Sequence, residues 1–193
     1  MIKQLKASIL IFVILFVIVG FLYPLLITVI GNVFFPWQAN GSIIYKGNEP
    51  IGSELIGQPF SNPGLFWSRP SSTAEFPYNA LDSGGSNLGP TNKMLIDRVE
   101  NRIKILRNSG ITGSIPSELV LGSGSNLDPD INLESALVQI PRISKVTHIP
   151  ENVLRNLVFE HLNGRTFGFM GARVINVLEL NLALMNLEKV YGR

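Results

Sequence analysis

The strongest constraint on this chain is a stretch without charge. From Ala7 to Tyr45 there is no Asp, Glu, Lys or Arg, and from Ala7 to Ile30, 20 of 24 residues are hydrophobic. As a helix that core would be about 36 Å long at 1.5 Å per residue. A hydrocarbon layer of about 30 Å needs about 20 apolar residues, so the run is predicted to cross a membrane once, with some tilt. A cleaved signal peptide has an apolar region of only about 7–15 residues ending at a small-x-small site. Here the run is longer, and Phe34-Phe35-Pro36-Trp37 follows it. Pro24 would kink an isolated helix, a break that membranes tolerate when the freed backbone groups find partners.

Charge sets the expected orientation. Lys3 and Lys6 are the only basic residues before Lys46, and every acidic residue lies at Glu49 or later. The positive-inside rule puts residues 1–6 in the cytoplasm, residues 7–30 in the membrane and residues 31–193 outside. Tyr23, Phe34, Phe35 and Trp37 suit an outer aromatic belt. The same two lysines account for the formal net charge of +2, which leaves a neutral remainder. That argues against nucleic acid as a partner, since phosphate neutralisation needs a clustered basic face. The absence of cysteine excludes disulfides, zinc–thiolate sites and thiol catalysis.

The remainder reads as one mixed α+β domain. Ser42 to Tyr45 and Ile51 to Ile56 flank a turn at Gly47-Asn48-Glu49-Pro50, a hairpin with a four- or five-residue turn. Between positions 57 and 92, 20 of 36 residues are Gly, Pro, Ser or Asn. Phe60, Phe66, Trp67, Phe76 and Tyr78 run through that segment, and disordered chains are poor in aromatics. It is therefore expected to be an ordered, irregular surface that docks onto a partner. Thr91 is placed as the N-cap of a helix (Leu95, Val99, Ile103, Leu106) that Gly110 closes. Glu118 to Leu121 is expected to be a strand. Asn132 is expected to cap a helix that Pro141 breaks or kinks, and Pro150 to open another running to about Leu162. The apolar stretch Arg173 to Leu187 fits a strand face or a helix beginning near Asn176.

Few groups suggest chemistry. The loop from Ser83 to Asn92 precedes a helix, yet it lacks the lysine and hydroxyl of a G-x-x-x-x-G-K-[ST] loop and reads as a tight turn. Asp128 and Asp130 are a fragment of a calcium loop, and Pro129 between them suits a turn instead. His148 and His161 are thirteen apart with no H-E-x-x-H, and read as surface residues. No G-x-S-x-G elbow is present. No metal site and no catalytic residue is expected.

The ordered set of short motifs carries more. It starts with Tyr23-Pro24-Leu25-Leu26 and Phe35 to Ser42, and continues with Gly52 to Gln58, Arg69 to Ala74, Tyr78-Asn79 and the Ser83–Asn87 loop. Ser123 to Pro129, Gln139-Ile140-Pro141-Arg142 and Asn176 to Leu184 complete it. Over nearly its whole length the chain resembles the C subunit of the Kdp potassium-transporting P-type ATPase. The resemblance implies a non-enzymatic subunit of a cell-membrane complex that imports potassium with high affinity at the expense of ATP. It implies a channel-like A subunit, an ATP-hydrolysing B subunit and a small F peptide as partners. No tightly bound cofactor is implied; ATP enters through the complex, and K+ is the transported ion.

Two roles come with that resemblance: holding A and B together, and acting as a catalytic chaperone that raises B's affinity for ATP. The nucleotide-associated positions are Ser123, Gly124, Ser125 and Gln139. Asn126 stands where the family commonly has a small residue, and Asp130 where it often has His or Asn. On the predicted topology Gln139 cannot meet cytoplasmic ATP, so coupling would be long-range; by itself it reads as a helix-surface glutamine. Partner contacts are expected at Arg69, Phe76, Tyr78, Asn79, Ser86 and Asn87. The rival reading is a membrane-anchored extracytoplasmic enzyme or binding protein that works alone.

Overall fold

In the computed structural model, which describes residues 2–191, the apolar run forms one continuous helix, α1 (Ile2–Phe34). It extends past the apolar core at both ends and buries none of its side chains within the protein. Pro24 does not interrupt it. Ile18–Leu22 widens into a π turn, in which the Tyr23 N–H bonds the Ile18 carbonyl five residues back. The wider turn accommodates a residue that has no N–H to donate. The polar side chains near its end bond backward along the helix: Thr28 Oγ1 donates to the Pro24 carbonyl at 2.8 Å, and Asn32 Nδ2 to that of Thr28 at 2.9 Å. This is how such groups are satisfied where water is absent.

A short helix, α2 (Pro36–Ala39), follows, and the Trp37 indole N–H donates to the Ile43 carbonyl at 3.0 Å. Strands β1 (Ile43–Lys46) and β2 (Glu49–Ser53) pair around Gly47-Asn48. The turn is two residues long, shorter than expected, because Gly47 adopts φ +65°, a conformation that glycine takes without strain. By backbone contacts the chain divides into a unit ending at Ile51 and a unit from Gly52 onward.

The second unit is mixed α+β. Its helices are α3 (Lys93–Asn108), α4 (Leu133–Leu137), α5 (Ile140–Thr147), α6 (Glu151–Glu160) and α7 (Val177–Tyr191). Strands β3 (Asp130–Asn132) and β4 (Val174–Asn176) pair antiparallel, with Ile131 opposite Ile175. Each strand passes directly into a helix through an asparagine. Asn132 Oδ1 accepts the Ser135 N–H at 2.7 Å, and Asn176 Oδ1 accepts those of Leu178 and Glu179 at 3.1 and 3.2 Å. Of the two readings of Arg173 to Leu187, the helix beginning near Asn176 holds; the strand is confined to Val174–Asn176, and Leu178, Leu180, Leu182 and Leu184 are helical.

Pro141 ends one helix and starts another, lying in the first turn of α5, where its missing N–H is not needed. The cap of α3 is Asn92, not Thr91; Asn92 Oδ1 accepts the Met94 N–H at 2.9 Å. Glu118 to Leu121 is not a strand: Ser117–Leu119 is a 3-10 turn. It buries Leu119, and the Glu118 carboxylate accepts the Asn132 N–H at 2.7 Å.

Two apolar clusters hold the unit together. The larger joins Ile131, Ile140, Ile143, Leu154, Val158, Ile175, Leu180 and Leu184 around Phe66. The smaller joins Leu106, Ile111 and Leu119 to Trp67. Neighbouring residues of the irregular segment thus anchor different clusters. Each such side chain contributes about 1.5–3 kcal/mol on burial.

Candidate functional site

The segment Phe66-Trp67 belongs to no helix or strand, so its buried backbone groups need other partners. Two buried side-chain amides supply them. Asn181 on α7 accepts the Phe66 N–H through Oδ1 at 2.8 Å and donates Nδ2 to the Phe66 carbonyl at 2.9 Å. Gln139 does the same for Trp67, at 2.7 and 3.1 Å. Gln139 Nε2 also donates to the Ser135 carbonyl at 3.0 Å, and Oε1 also accepts from Arg142 Nη2 at 2.7 Å. All four hydrogen-bonding positions of this amide are occupied. The expectation of a helix-surface glutamine is corrected: Gln139 is 0% exposed.

Arg142 completes the node. Its guanidinium lies 4.2 Å from the Trp67 ring centroid and donates to the carbonyls of Leu65, at 2.9 Å, and Pro63. Arg102 approaches the same ring at 5.7 Å. Burial, and secondarily the Arg102 charge, lower the Arg142 pKa to about 10, so it stays cationic at neutral pH. Its charge is balanced by carbonyl oxygens and a π face rather than by a carboxylate. Gln139 and Arg142, three apart, share one side of the helical path. That spacing, and an asparagine within an apolar helix at position 181, were the available signals for these residues.

The Ser-Gly loop, residues 122–126, meets the Ser83–Asn87 loop. The Gly84 N–H donates to the Ser125 carbonyl at 3.1 Å, and Asn126 Nδ2 donates to the Gly84 carbonyl at 2.6 Å. Asn126 is buried with φ +56°, so asparagine fills a left-handed position here. Ser123 Oγ and Ser125 Oγ lie 3.4 Å apart, and Ser125 Oγ accepts the Leu127 N–H at 3.1 Å. A Cβ on Gly124 would meet nothing within 4 Å, whereas one on Gly122 would lie 2.4 Å from Asn126 Oδ1. Close packing is demanded at Gly122, outside the expected set. Beside the loops lies a cleft of about 640 Å³, with Ser71, Arg98, Arg102, Ser123 and Asn126 in its wall.

Ser123, Gly124 and Ser125 are therefore together, and Gln139 is separate from them in a different environment. Of the expected contact residues, Phe76, Ser86 and Asn87 are exposed. Tyr78 and Asn79 are buried and brace the segment from beneath: the Tyr78 hydroxyl donates to the Arg69 carbonyl, and Asn79 Nδ2 to that of Ala74 at 3.3 Å. The expectation of a surface there is corrected for these two residues. Arg69 pairs with Asp128 Oδ2 at 3.0 Å, and Asp128 Oδ1 accepts the Asp130 N–H at 3.0 Å, as in a turn through Pro129. His148 caps α5 in the left-handed region, and His161 Nδ1 meets the Leu157 carbonyl at 2.8 Å.

One long apolar helix ahead of an α+β domain stitched by buried amides defines a single-span type of chain built around an internal polar node. The family described as K+-transporting ATPase, c chain, matches residues 5–186, and this chain belongs to it. A potassium-transporting ATPase KdpC subunit of Geobacter sulfurreducens is 50% identical over 184 residues, covering 94% of this chain and 97% of the relative. That of Methylococcus capsulatus is 46% identical over 186 residues (95% and 98%), and that of Burkholderia cenocepacia 45% over 181 (93% and 94%).

Proposed function

We propose that this chain is the accessory subunit of an ATP-driven, high-affinity potassium import complex of the cell membrane, with α1 as anchor, its N-terminus cytoplasmic and its domain outside. It holds the channel-like A subunit and the ATP-hydrolysing B subunit together, with a small F peptide as a further partner and K+ as cargo. The observation that carries this reading is the family match across residues 5–186. The test is to express the other subunits with and without this chain. A stable, fully active pump lacking it would sink the reading.

The chaperone role is part of the same proposal, in an indirect form. Every hydrogen-bonding position of Gln139 is taken within the domain. Its contribution to ATP affinity is therefore conformational: it keeps the Phe66-Trp67 segment in place, and coupling reaches the nucleotide through partner subunits. Protease accessibility of residues beyond position 35 on intact cells checks the orientation on which this depends. Cleavage only after the cytoplasmic side is opened would reverse it.

A further inference from the structure

The connection from α6 to β4 folds back on itself. Asn163 and Val174 exchange backbone hydrogen bonds at 2.9 and 3.2 Å, and Thr166 and Met170 do so at 2.9 and 3.0 Å. These two rungs make a narrow finger with Phe167-Gly168-Phe169 at its tip. Phe167 is 84% exposed, Phe169 72% and Met170 53%. Scattered exposed apolar residues are ordinary, but three large ones at one tip form a patch. Phe167 adopts φ +52°, left-handed backbone that is costly for a bulky side chain and clusters at functional sites. The finger contains Arg165 and Arg173 and no Asp, Glu or Lys; neither arginine forms an ion pair among the described residues.

We propose that this finger is the plug by which the domain docks onto a partner subunit of the pump, inserting Phe167, Phe169 and Met170 into an apolar pocket rimmed by carboxylates. This rests on the accessory-subunit reading. Phe, Met and Arg are the residue types enriched at the centres of protein interfaces, where Lys, Glu and Asp are depleted. Arg165 and Arg173 are exposed and pair with no carboxylate among the described residues, so their charge is complementary to an acidic rim. A lipid surface fits less well: membrane-interface aromatics are typically Trp and Tyr, whose polar ends reach water, and the finger has neither. The two rungs and the fixed tip mean that little ordering entropy is lost on docking.

The test uses the full chain within the assembled complex. Benzoylphenylalanine at position 167 is expected to crosslink on illumination to a subunit of the same pump. The double variant Phe167→Ser/Phe169→Ser is expected to lower co-purified partner by roughly tenfold or more. Its melting should match the wild type, since both side chains are exposed. Crosslinking to lipid alone, no adduct, or partner retained at the wild-type level overturns the inference. The accessory reading stands or falls separately, on whether the wild-type chain co-purifies with the pump at all.

Discussion

Gln139 shows how one side chain substitutes for a missing strand. Gln139→Leu keeps the volume but leaves the Trp67 N–H and carbonyl without their side-chain partner in the buried interior. Each buried orphan costs about 1–3 kcal/mol, so a loss of roughly 2–4 kcal/mol is expected in denaturant unfolding. The glycines of the Ser-Gly loop divide in a way that bears on mechanism. Gly122→Ala drives a Cβ against Asn126 Oδ1 and to 3.1 Å from the Pro70 carbonyl, and about 1–3 kcal/mol of overpacking is expected. Gly124→Ala meets open space, so stability should hold. If the loop acts only through the fold, the assembled pump's KM for ATP is also unchanged by Gly124→Ala. A large rise in KM with unaltered stability would instead make Gly124 part of a nucleotide cradle.

At the scale of elements, asparagines decide where strands become helices. Asn176 is buried, caps α7 through two N–H groups and donates Nδ2 to the Glu54 carbonyl at 2.7 Å. Asn176→Ala is expected to destabilise by about 2 kcal/mol, a cap plus one buried hydrogen bond. Asn92→Ala, at the exposed start of α3, should cost about 1 kcal/mol, and Thr91→Ala next to nothing. Comparing the melting of those two variants checks which residue is the cap. The helix periods, the Pro141 break and the Asn132 cap were legible because they are local properties of the chain. The Thr91 misplacement has an equally local cause: two good caps stand side by side, and only the backbone geometry chooses between them.

At the scale of the whole molecule, carboxylates converge from distant segments. Asp130 is half-buried near Asp128, Glu179 and Glu54; burial first, and then those charges, raise its pKa to about 6. A carboxylate raised in the folded state favours folding when protonated. That contribution is complete below the ordinary value of 3.8 and is lost as pH rises through about 6. Asp130→Asn should therefore stabilise the protein near pH 7.5 by about 1 kcal/mol, after the screening felt by a partly exposed group. The gain should fade toward pH 4. Equal stabilisation at both pH values would show that charge is not the cause.

The membrane span, the neutral remainder, the helix periods and the family resemblance were all determined by the sequence itself, because each depends on neighbours a few residues apart or on ordered motifs. Only the tertiary structure decided that Gln139, Asn181, Tyr78 and Asn79 lie inside. Gln139 and Asn181 meet partners 72 and 115 positions away in the chain. A polar side chain looks the same in sequence whether it faces water or satisfies a buried backbone. The difference is made by what the rest of the fold brings against it.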